Sequence, residues 1–476
     1  MSITNRMNSQ KKRLNPYLLV ILSFVVIIFL GATLLMMPFS RTDGKFGDFL
    51  DSLFLATSAT CVTGLNSFAH GIGGQDAVLT FPGQLIVVLM IQVGGLGFIT
   101  LLTFFVTLFS RKLQFKDRLF ISMMVNSEDF AEVVSFVRKI IIISFSFELL
   151  GFLLGLPVFL NPKYGLTPGE GIWYSLFTSI SAFNNAGFDL FGDSSLIRGE
   201  YGSAFINALN RGTYYYMCSY IMFLIVAGGI SFLVVMDIFS KHKLRKLRVF
   251  TKISLLMTGV LLALGFGIFL ISERPVSVFD ALFQSVTCRT AGFATTSQDQ
   301  LSILGKTFSC FLMFFGGNPL GTAGGVKTTT LYIIVLAMVC YLTGKKDVTS
   351  FHRKYSNGMI VKAMSLVLLA VTAVLVSFVL IYTFEEINHL PDHLDENNIK
   401  STLSAVVVYE VFSAFGTVGV TTGITPLLSI PSKIVICILM FIGRLGPITF
   451  FQLLGSKLSF EEQTNVQYVE EDFLIG

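Results

Sequence analysis

Four short segments of the sequence share a pattern in which the backbone, more than the side chains, could do chemistry. In each segment a run of small residues leads to Ala, Val or Thr, then to Gly, and then to a bulky apolar residue. The segments are residues 57–65, 181–188, 285–293 and 413–420. Glycine adopts backbone conformations that other residues reach only with strain, so each segment predicts a turn that can redirect successive carbonyl groups.

Such turns suit the binding of a dehydrated cation. A ring of backbone carbonyl oxygens replaces the water oxygens of the ion without adding fixed charge. The C-terminal ends of short helices before the turns would direct negative partial charge toward the ion. The alternative is that these are four unrelated packing turns between helices. The candidate ion-binding positions are Val62, Thr63, Gly64, Asn185, Ala186, Gly187, Thr290, Ala291, Gly292, Thr417, Val418 and Gly419.

A fifth glycine-rich segment interrupts a long apolar run at residues 303–342. Residues 316–325 contain five glycines and Pro319, and Lys327 follows after Val326. Pro319 removes a backbone donor and the glycines weaken helix formation, so a break is expected here. Backbone groups freed at membrane depth need water or a polar cavity. The alternatives are a merely kinked helix and, for Lys327, an anchor that reaches toward the membrane surface.

A few charged side chains fall in apolar surroundings, where charge is costly and often functional. Arg444 lies in such a run and is expected to face a cavity or a partner. Glu148 is either a functional group or part of an interhelical hydrogen bond. Glu410 and Arg289 could pair and brace the turns, or they could face an outer vestibule. Asp189, just after the second turn, could attract cations.

Enzyme chemistry finds little support in the sequence. The five histidines all fall in predicted loops, the six cysteines are scattered, and no Walker-type phosphate loop occurs. A polytopic membrane enzyme acting on lipid or peptide bonds therefore remains only a distant alternative.

Composition places most of the chain in a membrane. Hydrophobic residues make up 53% and charged residues 13% of the 476 residues, against about 25% charged in soluble proteins. Eight apolar runs predict membrane spans, since most reach the ~20 residues that cross a bilayer. They are residues 17–38, 83–110, 140–160, 213–239, 253–272, 303–342, 363–384 and 433–455. Four shorter stretches between them predict re-entrant helices, at residues 48–60, 170–184, 278–289 and 400–415.

Lys and Arg are about twice as frequent on one side of these spans as on the re-entrant side. The positive-inside rule therefore places both termini in the cytoplasm. The acidic residues of 385–398 suit either a cation-attracting vestibule or an ordinary solvated loop.

The glycine turns recur once per pair of spans, which predicts a fourfold internal repeat. The expected fold is an all-α polytopic membrane protein of four membrane–pore–membrane repeats, with eight spans and four re-entrant pore helices around one pseudo-fourfold pore. The predicted units are a cytoplasmic tail at 1–16, repeats at 17–118, 119–250, 251–355 and 356–456, and a cytoplasmic tail at 457–476.

These motifs resemble those of the superfamily of potassium transporters that contains KtrB, TrkH and the plant HKT proteins. The resemblance covers about residues 17–455, and its most specific segments are 184–188, 290–293, 317–327, 416–419 and 443–447. The first predicted span directly follows a short basic tail, and in this the sequence is most similar to KtrB. The turns lack the longer filter of tetrameric potassium channels.

The resemblance implies functions for particular residues. It implies K⁺ binding at Gly64, Gly187, Gly292 and Gly419, and potassium preference because all four glycines are present. It also implies that the break in the sixth span is a gating loop beneath the filter. The implied gate residues are Gly316, Gly317, Gly321, Thr322, Ala323, Gly324, Gly325, Lys327 and Arg444.

The implied function is potassium uptake through a gated, selective pore in the cell membrane. The alternatives are a sodium-coupled potassium symporter and a less selective Na⁺/K⁺ pathway of the same fold. The ions are K⁺ and possibly Na⁺, with no organic cofactor and no nucleic-acid partner. The implied assembly is a homodimer in the lipid bilayer, docked on a cytosolic nucleotide-binding regulatory ring like KtrA or TrkA.

Overall fold

The architecture comes from a computed structural model, and it is mostly helical. The structure describes residues 16–68, 70–74, 77–97, 130–192, 195–199, 202–241, 244–273, 277–390 and 401–446. Within these ranges the only named strands are Thr349–Ser350 and Arg353–Lys354, which form a small antiparallel hairpin. Apolar helices build everything else that positions the glycine turns.

The first half of the described chain contains eight α-helices. They are α1 (Pro16–Met36), α2 (Phe49–Cys61), α3 (Phe81–Leu96), α4 (Phe130–Phe159), α5 (Pro168–Phe183), α6 (Ala204–Ala208), α7 (Arg211–Gly229) and α8 (Phe232–Lys241).

The second half of the described chain contains seven more. They are α9 (Val249–Ser272), α10 (Val278–Thr287), α11 (Ile303–Phe314), α12 (Thr328–Leu342), α13 (Asn357–Ile387), α14 (Leu403–Gly416) and α15 (Ile430–Leu445).

The four predicted re-entrant stretches each contain a short helix, namely α2, α5, α10 and α14. Three of these helices are capped at their N-terminal ends by polar side chains. Asp48 accepts from two backbone amides of α2, Thr167 forms a capping box with Glu170, and Ser277 accepts from the amide of Asp280. The C-terminal halves are buried among neighbouring helices. These helices therefore deliver their C-terminal carbonyl groups to the interior of the molecule.

Three of the described helices are long and apolar enough to cross a membrane: Ser135–Phe159, Val249–Ser272 and Asn357–Ile387. A bent pair, Arg211–Gly229 with Phe232–Lys241, would add a fourth span. The predicted second and eighth spans continue past residues 97 and 446, outside the described residues. The predicted sixth span is divided between α11 and α12. The full set of eight spans thus stays a prediction.

The predicted fourth span differs from a single helix because it breaks after Gly229. Helices α7 and α8 meet at 94°. The carbonyl oxygens of Gly228 and Gly229 accept from the amides of Thr322 and Asn318, at 3.1 and 3.2 Å. In a continuous helix these carbonyls would accept from amides of the next helical turn. Because the loop amides take that place, the helix can end here without leaving the carbonyls unpaired.

Candidate functional site

The four glycine turns, residues 62–64, 185–187, 290–292 and 417–419, share one backbone conformation. The glycines have positive φ angles of 100°, 70°, 87° and 93° at Gly64, Gly187, Gly292 and Gly419. The residue two positions earlier is also left-handed, with φ of 58°, 60°, 73° and 50° at Val62, Asn185, Thr290 and Thr417. Left-handed backbone is strained at a non-glycine residue, and above all at the β-branched Val62, Thr290 and Thr417. The shared strain marks the four turns as equivalent.

The four turns meet in cyclic order. A Cβ atom on Gly64 would lie 2.5 Å from the carbonyl oxygen of Ala186 in the second turn. A Cβ atom on Gly187 would lie 2.8 Å from the Ala291 oxygen, and one on Gly292 would lie 2.7 Å from the Val418 oxygen. A Cβ atom on Gly419 would collide with the Thr63 oxygen. Each glycine therefore faces the carbonyl of the next turn, and the fourth turn closes on the first. No side chain fits at any of the four positions.

Hydroxyl groups of the short helices hold the turns in place. The Ser58 and Ser413 hydroxyls accept from the amides of Gly64 and Gly419, each at 3.1 Å. In the other two turns the direction is reversed, since Ser181 and Thr287 donate to the carbonyl oxygens of Phe188 and Phe293, each at 2.5 Å. Side-chain bonds to the turn backbone thus occur in all four copies.

A second set of glycines allows the helices that follow the turns to pack closely against the ends of the short helices. Gly94, Gly228 and Gly443 lie so close to the carbonyl oxygens of Thr60, Phe183 and Phe415 that a Cβ atom would collide with them. In each case the carbonyl belongs to the residue four positions before the turn glycine. This packing role was not predicted, although Gly443 lies in the 443–447 segment that contributes to the family resemblance, and the placement of all three glycines in apolar runs is a signal that could have indicated it.

The 316–325 loop is tied to the break between α7 and α8. Besides the two amides that bond to Gly228 and Gly229, the Leu320 carbonyl accepts from the Phe232 amide at 3.1 Å. The neck of the loop is closed by a bridge between Phe315 and Val326. The predicted interruption of the sixth span is therefore confirmed as a loop with its own partners, and the kinked-helix alternative is wrong.

The loop also contacts the glycine turns. A Cβ atom on Gly316 would meet the Thr290 methyl group at 2.9 Å, and one on Gly324 would collide with the Thr417 hydroxyl. The Thr322 hydroxyl donates to the Phe183 carbonyl at 3.2 Å, at the end of α5. The loop thus lies against the third and fourth turns and against the end of α5, which precedes the second turn.

Three cationic side chains donate to carbonyl oxygens of the loop. Arg289 donates to Gly316 at 3.2 Å and Lys327 to Ala323 at 2.6 Å. Arg444 donates to Thr322 and also, across the site, to Gly94 and Gly95 of α3. Lys327 is bound within the loop, so the alternative that it extends toward the membrane surface is wrong. Arg444 is half-buried and has the partners expected of a guanidinium in apolar surroundings.

Comparison with known proteins identifies the family of the chain. The sequence profile of the TrkH family, described as a cation transport protein, matches residues 3–456. The chain belongs to the TrkH family. It is 34% identical to the potassium/sodium uptake protein NtpJ of Enterococcus hirae, covering 98% of both chains. It is 33% identical to the Ktr system potassium uptake protein B of Bacillus subtilis, covering 98% of this chain and 97% of the relative.

A solved structure shares the TrkH-family fold. The potassium transporter TrkH from Vibrio parahaemolyticus superposes with a TM-score of 0.66 at 17% identity, covering 95% of this chain and 87% of that chain. The mostly helical architecture described above is therefore an established fold, and the chain is a multi-pass membrane protein of a transporter family.

The predicted pairing of Arg289 with Glu410 is wrong. Arg289 donates to the carbonyl oxygens of Gly316 and Thr258. Glu410 accepts from the Thr422 amide at 3.2 Å and from the hydroxyls of Thr425, at 3.3 Å, and Thr421. Each group finds its partners in its own surroundings, although the buried Nε of Arg289 has no hydrogen-bond partner within the described residues. Glu410 braces the segment that follows the fourth turn, and Arg289 joins the third turn to the loop.

Glu148 takes part in interhelical hydrogen bonds, the second of the two predicted alternatives. It accepts from Gln92 of α3 at 2.9 Å and from Asn184, next to the second turn, at 3.1 Å. Ser144 of its own helix donates at 3.0 Å. The carboxylate therefore links α3, α4 and the end of α5. Asp189 is half-buried and accepts from the Phe191 amide at 3.0 Å; its attraction for cations stays a prediction.

A buried polar network around the third turn was not predicted. The amide of Gln284 in α10 donates to Gln298 at 2.6 Å, and the Tyr409 hydroxyl of α14 donates to the same Gln298 oxygen at 2.6 Å. Polar residues spread over three segments give no local pattern in sequence. The network connects the third and fourth short helices beside the turns.

Proposed function

We propose that the chain is a potassium uptake transporter in which the four glycine turns form a selectivity filter. The cyclic contact between each glycine and the carbonyl of the next turn carries the proposal. Carbonyl oxygens concentrated around one axis can replace the hydration shell of a cation. K⁺ would bind at Gly64, Gly187, Gly292 and Gly419, with the residues before each glycine supplying further oxygens.

We infer a preference for potassium over sodium from two observations. Glycine occupies all four turn positions, and related proteins are named for potassium uptake. The name of the Enterococcus hirae relative also includes sodium. A sodium-coupled symporter or a less selective pathway through the same turns is therefore the second candidate.

In this proposal the 316–325 loop is the gate. It lies against the third and fourth turns and the end of α5, and the side chains of Arg289, Lys327 and Arg444 donate to its carbonyl oxygens. Arg444 adds positive charge beside the same loop, which opposes the passage of a cation. Transport would require the loop to leave the turns and its bonds with Arg444, Lys327 and Arg289 to rearrange.

The assembly in the cell follows from the same reasoning. The re-entrant helices would enter a cell membrane from outside, with both termini in the cytoplasm. The names of the Ktr relatives refer to a Ktr system. A homodimer that docks on a cytosolic nucleotide-binding ring would suit such a system, with the ring moving the loop.

The test is ion flux into liposomes that contain the purified protein, compared for K⁺, Rb⁺ and Na⁺. Gly187→Ser inserts a side chain against the backbone of the third turn, 2.6 Å from the Gly292 Cα. Gly423→Ser is the matched control, because Gly423 has φ +98° but no neighbour within 4 Å of a Cβ atom. We expect K⁺ flux to exceed Na⁺ flux in the unsubstituted protein and in the control.

Gly187→Ser should reduce the K⁺/Na⁺ flux ratio while the control keeps it. Equal K⁺ and Na⁺ flux in the unsubstituted protein would refute potassium selectivity. Equal effects of the two substitutions would refute the placement of the filter at the glycine turns.

A further inference from the structure

Tyr409 of α14 lies beside the place where the third and fourth turns meet. It is fully buried. It belongs to the same apolar cluster as Val418 in the fourth turn, Val420 just after that turn and Cys288 at the C-terminal end of α10. At this junction a Cβ atom on Gly292 would lie 2.7 Å from the Val418 carbonyl oxygen. The Tyr409 ring therefore packs beside two turns of the proposed filter.

The Tyr409 hydroxyl connects the surroundings of these two turns. It donates to the side-chain oxygen of Gln298, which follows the third turn, at 2.6 Å. Gln298 is also held on the side of the third turn, because it exchanges hydrogen bonds with Gln284 of α10 at 2.6 and 3.2 Å and donates to the Thr296 carbonyl at 2.7 Å. Both glutamines are 2% exposed. The Tyr409 hydroxyl thus attaches the segment after the third turn to the short helix before the fourth turn.

Burial alone accounts for these hydrogen bonds but not for their arrangement. Any buried hydroxyl or amide group needs a partner, so a polar pair in a core is ordinarily a matter of packing. Here the bond crosses between two neighbouring turns whose carbonyl oxygens would surround the ion. Na⁺ is smaller than K⁺, so those oxygens must move inward to bind Na⁺ as closely. A hydrogen bond that fixes the spacing of two turns opposes this movement.

We propose that Tyr409 is a positioning residue for the filter, and that it raises the preference for K⁺ over Na⁺ by acting through Gln298. The inference rests on the proposed function of the four turns, and it assigns part of their selectivity to a side chain that lies outside them. Neither Tyr409 nor Gln298 supplies an ion ligand. The bond between them sets the distance between the third and fourth turns.

Tyr409→Phe removes this bond with little other change. The ring stays, and the Gln298 oxygen keeps Gln284 as a donor, so this buried acceptor is not left unpaired. The measurement is K⁺ and Na⁺ flux into liposomes that contain the purified full-length protein. We expect the K⁺/Na⁺ flux ratio to fall by about two- to tenfold, the range that the loss of one neutral hydrogen bond accounts for.

Tyr164→Phe is the matched control. Tyr164 is also buried, and its hydroxyl donates to Thr213 of α7 at 3.0 Å rather than to a segment next to a turn. Each variant loses one hydroxyl bond, so thermal unfolding should shift by a similar amount in both, whereas only Tyr409→Phe should change the flux ratio. An unchanged ratio in Tyr409→Phe would overturn the proposal, and so would an equal change in the two variants.

A second substitution tests whether Tyr409 acts through Gln298. Gln298→Met removes the oxygen that accepts from Tyr409, so the flux ratio should fall, and adding Tyr409→Phe to Gln298→Met should lower it no further. Full additivity of the two effects would show that the phenol acts by another route and would refute the coupling.

The same flux measurements separate this inference from the proposed filter. A ratio that responds to Gly187→Ser but not to Tyr409→Phe would leave the filter in place and refute only the role of Tyr409. Equal K⁺ and Na⁺ flux in the unsubstituted protein would refute the potassium filter, and this inference with it.

Discussion

Replacement of Arg444 by alanine should open the proposed gate. Arg444 donates to the Thr322 carbonyl in the 316–325 loop and to the carbonyls of Gly94 and Gly95 in α3. Only the first of these bonds connects to the loop. Arg444→Ala therefore removes one tether of the proposed closed arrangement, and it also removes a positive charge beside the proposed ion path.

The size of the effect follows from the contacts. A hydrogen bond that involves a charged group contributes about 1.5–3 kcal/mol. Since ~1.4 kcal/mol is a tenfold change in an equilibrium constant, the closed-to-open ratio should fall by about 10- to 150-fold. If the unsubstituted protein is mostly closed, K⁺ flux should rise by a similar factor until the loop is mostly open.

The assay is K⁺ flux into liposomes that contain the purified protein without any cytosolic partner. Deletion of residues 317–325 provides the upper limit of flux. Arg444→Lys separates the two contributions, because it keeps the charge but loses the planar group that reaches several carbonyls. A tether predicts that Arg444→Lys lies between the unsubstituted protein and Arg444→Ala, whereas a purely electrostatic barrier predicts that it remains closed.

The reasoning fails if Arg444→Ala and the deletion both leave K⁺ flux unchanged or lower in protein that inserts normally. Size-exclusion behaviour and thermal unfolding of the variants establish normal insertion before flux is compared.

Two other positions give separate predictions. Glu148→Ala leaves its buried donors unpaired and should lower the free energy of unfolding by at least ~2 kcal/mol, whereas Glu148→Gln keeps an acceptor oxygen and should stay close to the unsubstituted protein in thermal unfolding and K⁺ flux. An equal loss in both variants would show that the charge itself is needed. Arg289→Met should raise flux and lower the K⁺/Na⁺ ratio together, because Arg289 joins the third turn to Gly316. Arg198→Met, which removes a donor to the Leu209 carbonyl and not to the turns or the 316–325 loop, is its control, and a change in only one of the two quantities would contradict the coupling.

The turns were accessible from sequence because glycine is the residue that their conformation requires. The same reasoning could not find the second left-handed position in each turn. Val62, Asn185, Thr290 and Thr417 have no common chemistry, and the surrounding helices impose their conformation. Local preference is overridden there by tertiary contacts, as is common at functional sites.

The helix break after Gly229 illustrates a second limit. The residues on both sides are apolar and continue the pattern of one span. The Gly228–Gly229 pair weakens the helix locally, but the break also depends on amides supplied by a loop about 90 residues later in the chain, which no local pattern identifies. The expected Arg289–Glu410 pair was wrong for a related reason, since opposite charge alone does not include the competing backbone partners.

The cyclic ring has one further consequence because a single chain supplies all four turns. In an assembly of identical subunits, one substitution alters every wall of the central passage at once. Here each wall is encoded separately, and the four already differ in the residues before their glycines. In the proposed filter, preference among ions would therefore change one wall at a time, while the other three walls stay unaltered.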